Sequence, residues 1–162
     1  MTKTYDDAQS LAAALTREHH EIDGAIEDYL DSVQSAPHER AQPLLRALEA
    51  LRRHIYLEEE IVFPRLPHGP LMMPLMVMRR EHGELWRHMD VLAERLCSPG
   101  TDTNDLDESC RELLSLLERH NAKEEPVIYP HLDTDLGADE RTKVHAILAN
   151  GTLPPGWVCQ DA

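Results

Sequence analysis

The strongest constraint in this sequence is that it repeats itself. The stretch from His54 to Leu66 lies without a gap over the stretch from His120 to Leu132, placing His54 on His120, Glu58 on Glu124, Glu59 on Glu125, Pro64 on Pro130 and Leu66 on Leu132. Upstream, Arg17, Glu18, His19, Glu21 and Ile22 lie over Arg80, Glu81, His82, Glu84 and Leu85 in the same way. A repeat of this kind means two similar units that bury their apolar faces against each other. Each half has one segment with a single repeat-matched histidine, followed by one with His-x-x-x-Glu.

Those segments are helical by pattern. Leu11, Leu15, Ile22, Ile26, Tyr29 and Val33 recur at spacings of three, four and seven within residues 6–35, and Leu44, Leu48, Leu51, Ile55 and Val62 do so within 39–62. This is the stripe of an amphipathic helix, and strand alternation is absent. Pro43 is compatible with the second helix because it falls in the first turns. A third helix is expected over 71–97, a fourth over 105–128 and a shorter fifth over 138–149, with glycine and proline punctuating the links. Four long helices with short links make an all-α four-helix bundle. Residues 6–132 are expected to form it, and 133–162 to add the fifth helix and an extended tail packed on the bundle.

Charge narrows the partners. Sixteen Lys and Arg against 30 Asp and Glu leave a formal charge of -14, a field that repels phosphate backbones and anionic lipid headgroups. No nucleic acid and no membrane surface is expected as a partner. The longest apolar stretch, Leu71 to Met78, includes Pro74 and falls far short of the roughly 20 residues a spanning helix needs. The polar, acidic start does not read as a secretory signal, so a cytoplasmic location is expected. Cys97, Cys110 and Cys159 show no CxxC spacing and are read as reduced thiols.

The chain has ten histidines and one phenylalanine, and histidine is the commonest metal ligand. Residues four apart share a helix face, so His54 stacks with Glu58 and His120 with Glu124. If the first and third helices turn the repeat-related His19 and His82 inward, four imidazoles and two carboxylates converge. Such a set suits two ions of intermediate hardness, namely iron, manganese or zinc, with glutamate able to bridge them.

Taken together, the run from Leu15 to Glu18-His19, His54-x-x-x-Glu58-Glu59, Glu81-His82 and His120-x-x-x-Glu124-Glu125 resembles the hemerythrin-like, or HHE cation-binding, domain of bacterial type. The resemblance covers roughly residues 10–132. It implies an up-down four-helix bundle around a non-haem di-iron centre whose ligands are His19, His54, Glu58, His82, His120 and Glu124. It also implies a small ligand, oxygen or nitric oxide, for sensing, storage or a stress response. Oxygen-carrying members have a further histidine one turn after the one on the third helix, where this chain has Trp86. His88, six residues from His82, is off that face. Four His with two Glu are more like the di-iron proteins of nitric oxide stress and iron–sulfur cluster repair, which often add a cysteine-bearing module not expected here. The alternatives are an enzyme using the same centre, such as an oxidase, a peroxidase-like activity or a nitric oxide reductase, and a metal-stabilised interaction module.

The remaining residues receive structural readings. Glu59 and Glu125 are expected in surface or interhelix pairing, and Asp23, four after His19, is a possible further ligand. His20, His38, His68, His88, His131 and His145 are expected at the surface or behind the ligands. Met72, Met73, Met76 and Met78 are expected to fill the core, Trp86 to wall the ligand pocket, and Trp157 to dock as an apolar anchor.

Overall fold

The first helix, α1 (Leu11–Asp31), starts where Ser10 accepts a hydrogen bond from the amide of Ala13. Asp133 reaches over from the far end of the chain to accept the amides of Leu11, at 2.8 Å, and Ala12, at 3.3 Å. Donors that a helix start leaves unpaired are thus satisfied by a side chain and by the opposite half. The description comes from a computed structural model covering residues 10–33 and 35–162, so the expected residues 6–9 of this helix lie outside the described residues. Val33 is not part of the stripe: the helix stops at Asp31 and Val33 is 60% exposed.

Helix α2 (Pro37–Leu57) begins on a proline, whose fixed φ suits a first turn, and runs through Pro43. It continues into a π-helical turn over Glu58–Val62, where the amide of Phe63 donates to the carbonyl of Glu58. Single π turns of this kind are frequent at functional sites. Helix α3 spans His68–Cys97, α4 spans Thr103–Val127 with Asp102 as its cap, and α5 spans Ala138–Asn150. One-turn elements at Phe63–Arg65, Tyr129–His131 and Leu132–Asp135 complete the chain, and no strand occurs among the described residues.

The order of burial along each helix shows the topology. One apolar cluster holds Leu11 and Leu15 of α1, Leu71 and Leu75 of α3, and Leu57, Phe63, Ile128 and Leu132 beyond the histidines of α2 and α4. The other holds Ile22 and Ile26, Leu44 and Leu51, Leu85 and Met89, and Leu113 and Leu117. Helices α1 and α3 pass from the first cluster to the second, and α2 and α4 pass back, so the bundle runs up, down, up, down. Between the clusters, all four helices contribute buried polar side chains at one level. A polar layer across a hydrophobic core is costly unless its groups are paired or bind a cation, and this layer is the feature that the rest of the fold accommodates.

The C-terminal segment packs on the bundle. Val144 of α5 joins the first cluster, and Arg53 of α2 donates to the carbonyl of Gly151. Trp157 docks as an anchor, its indole N–H donating to Glu60 and its ring set edge-on to Tyr56 and Trp86. Met78 is in the core, but Met72, Met73 and Met76 are 56%, 63% and 56% exposed, a departure from the expected filling role. They fall on the outer side of α3, and the core at this level is already supplied by Leu71 and Leu75.

The tail comes close to α3 at Gly83, where an added Cβ would lie 2.7 Å from the backbone carbon of Asp161. Gly83→Val is therefore expected to push the tail off, at a cost of about 1 to 3 kcal/mol. Cys159, buried in the tail, should then react rapidly with a thiol reagent alongside exposed Cys97. An unchanged count of fast thiols would show that the tail tolerates the side chain.

Candidate metal centre

The structure brings His19, His54, Glu58, His82, His120 and Glu124, all buried, to the middle of the polar layer. Two groups whose donor atoms lie within 4.8 Å of one another could hold metal ions: Glu58, His82, His120 and Glu124, and His19, His54 and Glu124. Glu124 belongs to both. Its Oε1 is 3.4 Å from His19 Nε2 and its Oε2 is 3.3 Å from His120 Nε2, while Glu58 Oε1 is 3.3 Å from His54 Nε2 and 3.5 Å from His82 Nε2. Each inner carboxylate thus spans imidazoles of both halves.

All four imidazoles present Nε2 to this centre because Nδ1 is held from behind. His19 Nδ1 is 3.0 Å from Glu125, His54 Nδ1 3.0 Å from Glu18, His82 Nδ1 2.8 Å from Glu59 and His120 Nδ1 3.0 Å from Glu81. A carboxylate behind an imidazole sets the ring's orientation and tautomer and raises the basicity of the other nitrogen, as is general for metal-bound histidine. These four glutamates are two repeat-related pairs, Glu18 with Glu81 and Glu59 with Glu125. Spacing along a helix could not reveal their partners, although the repeat of Glu directly before His19 and His82 was a signal. Glu59 and Glu125 do pair between helices, as expected, and the partner in each case is a centre histidine.

Several atoms in the centre lack a hydrogen bond: Glu58 Oε1, both oxygens of Glu124 and His82 Nε2. Glu58 keeps one donor, the Tyr129 hydroxyl at 3.2 Å from its Oε2, and Glu124 has none. Two buried carboxylates so poorly supplied repel each other strongly at low dielectric when both are charged, and a cation among them removes that penalty. The donor set of imidazole and carboxylate fits a transition metal.

The same field controls protonation. Burial alone would lower His19, but Glu124, Glu58 and Glu125 outweigh it and raise the imidazole to about 9. Burial also opposes the charge on His120, and Glu124 and Glu81 raise it to about 9. Burial and the neighbouring Glu124 push Glu58 well above its usual range. Burial and His19 keep His54 low, with Glu18 opposing. Without metal, protons supply the missing positive charge.

A metal ion must therefore displace protons from His19 and His120. Uptake is expected to release protons and to tighten as pH rises toward 9, which titration calorimetry in buffers of different ionisation enthalpy would measure. For the metal-free protein the sign is opposite. Imidazoles raised above their unfolded value of about 6.5 stabilise fully below that pH and lose the contribution as pH climbs through about 9. The metal-free melting temperature should fall across this window, and metal affinity independent of pH would contradict the assignment.

Tyr129 is the residue that helical spacing missed. It is 2% exposed, its ring stacks on His19 with centroids 5.4 Å apart, and its hydroxyl is 2.9 Å from His19 Nε2 and 3.1 Å from His54 Nε2. Asp23 is not among the converging donors, and its Oδ1 is buried without a partner. Of the other histidines, His88 donates to the carbonyl of Ser109 and His131 pairs with Asp135. The Trp86 ring is buried, lies edge-on to Trp157 and sits under the Arg52 guanidinium, so the indole braces the tail. A surface groove on the α1 side is lined by Thr16, Arg17, His20, Glu125 and Tyr129, the last two of which contact His19. No helix of the described residues is long and apolar enough to cross a membrane.

Neither the curated proteins nor the solved structures include a significant match. The family model of the hemerythrin HHE cation binding domain matches residues 10–132, the span that contains the whole four-helix bundle and all of its inward-facing imidazoles and carboxylates. The chain belongs to the hemerythrin HHE cation-binding domain family.

Proposed function

We propose that the centre binds two iron ions through His19, His54, Glu58, His82, His120 and Glu124, and that the loaded protein binds or reacts with a small ligand such as oxygen or nitric oxide in sensing, storage or a stress response. The observation that carries this reading is the convergence of four imidazole Nε2 atoms, each backed by its own carboxylate, on two buried glutamates with unpaired oxygens. A pair of irons supplies redox electrons and open coordination positions for a diatomic.

The chain's own residues do the rest. Glu124, shared by both donor groups, sets the separation of the two sites. Glu18, Glu59, Glu81 and Glu125 orient the imidazoles, and Lys123, paired with Glu81, holds one of those carboxylates in place. The apolar clusters on both sides exclude bulk water from the layer. Helix α3 offers no second donor one turn after His82, since an indole has no lone pair for a metal, which leaves room for a small ligand.

Iron content and optical spectra of the purified protein, under air and under nitric oxide, test this. About two irons per chain and a spectrum that changes with the gas are expected. A single tetrahedral zinc, or two irons whose spectrum ignores both gases, would overturn it.

A further inference from the structure

We propose that Tyr129 is itself a metal ligand, its phenolate completing the donor set of the His19 and His54 side and making the two ions of the centre chemically different. The proposal rests on the dinuclear reading above. Its ground is a triangle: His19 Nε2 and His54 Nε2 are 3.0 Å apart, and the Tyr129 oxygen is 2.9 Å from one and 3.1 Å from the other. Two ligands at right angles on a metal with bonds of about 2.1 Å are separated by about 3.0 Å, so the three atoms have the spacing of one face of an octahedron.

Hydrogen bonding among neutral groups does not satisfy this triangle. Both Nδ1 atoms are turned to carboxylates, Glu125 and Glu18. In the neutral, metal-binding form of the imidazoles, both Nε2 atoms are therefore acceptors. The phenol has one proton for those two nitrogens and for Glu58 Oε2, which lies 3.2 Å away. One cation in contact with all three corners satisfies them together. On coordination the oxygen–metal bond forms, the O–H bond breaks, and the proton leaves to solvent.

The repeat supplies an internal control. Tyr129 lies over Phe63, and the two rings play the same packing role, Phe63 stacking on His82 at 5.7 Å as Tyr129 stacks on His19 at 5.4 Å. The halves differ here by one oxygen atom. The His82 and His120 side therefore has no phenolate, and the open position for a small ligand belongs to it.

The test is to load the protein with ferrous iron, oxidise it in air, and record metal content, visible absorption and resonance Raman spectra for wild type and Tyr129→Phe. Ferric iron bound to phenolate gives a visible charge-transfer band with enhanced tyrosinate vibrations. Wild type is expected to show both, and Tyr129→Phe, which copies the packing of Phe63, to keep iron while losing them. Iron bound by wild type without these signals, or signals that persist in Tyr129→Phe, would overturn the ligand assignment and leave the dinuclear reading standing. Failure of wild type to bind iron would overturn both. Should the variant not fold, as judged by circular dichroism, gallium loading of wild type decides: a tyrosinate difference spectrum in the ultraviolet supports the assignment, and its absence refutes it.

Discussion

Glu124→Ala is expected to leave the protein unable to hold either metal ion, whereas Glu59→Ala and Glu125→Ala should each weaken binding by about 10 to 100-fold. Glu124 is the one side chain common to both donor groups, and both of its oxygens lie inside the centre without hydrogen bonds. Its removal takes a donor from each site at once. Glu58→Ala should come close, because Glu58 lies near imidazoles of both halves. Glu59 and Glu125 act at one remove, through His82 and His19, so their loss lets a ring turn without deleting a donor. The fold should survive the Glu124 change, since His19 and His120 can give up the protons that Glu124 helps to hold on them and keep their Nδ1 partners Glu125 and Glu81. Metal content after dialysis against a graded chelator series orders the variants. Equal losses at Glu124 and Glu59, or retention of two ions by Glu124→Ala, would show that the centre is organised differently.

Complete removal of metal is expected to lower the melting temperature by roughly 5 to 10 °C. Binding to the native state alone contributes RT ln(1 + [L]/Kd), about 2.7 kcal/mol at a hundredfold excess over Kd, and a domain of this size shifts by roughly 2 to 4 °C per kcal/mol. The polar layer is the reason the loss is felt throughout the bundle: all four helices enter it, and without cations its carboxylates must be neutralised by protons on His19, His120 and Glu58. The loss should be larger at pH 8 than at pH 6, because those protons leave as pH rises. Differential scanning calorimetry with and without chelator at the two pH values measures it. A melt that does not move would mean that the bundle neither needs nor holds metal.

The helices were legible because their determinants are local. Apolar spacing placed α3 and α4 to within three residues at each end, and the i, i+4 relation alone put Glu58 under His54 and Glu124 under His120. Where the chain leaves helical geometry, that rule has nothing to act on. Tyr129 follows Pro126 and opens a one-turn 3-10 element, so no period predicts its direction. In the repeat it appeared only as an aromatic over Phe63. Trp86 shows a different limit: its place one turn after His82 was legible, but its partners, Trp157 of the tail and Arg52 of α2, come from other elements and were not.

By itself, then, the sequence determined an all-α bundle of two similar halves and the helix faces that carry its histidines, since a helix face depends only on residues a turn apart. The tertiary structure alone decided which carboxylate backs which imidazole, that Tyr129 reaches the centre, and that Gln160 of the tail donates its amide to Glu59 behind His82. Those pairings join atoms 23 to 110 residues apart in the chain. They depend on how far each helix is rotated about its own axis and on where the chain turns after it ends, which packing of the whole bundle sets and no local pattern contains.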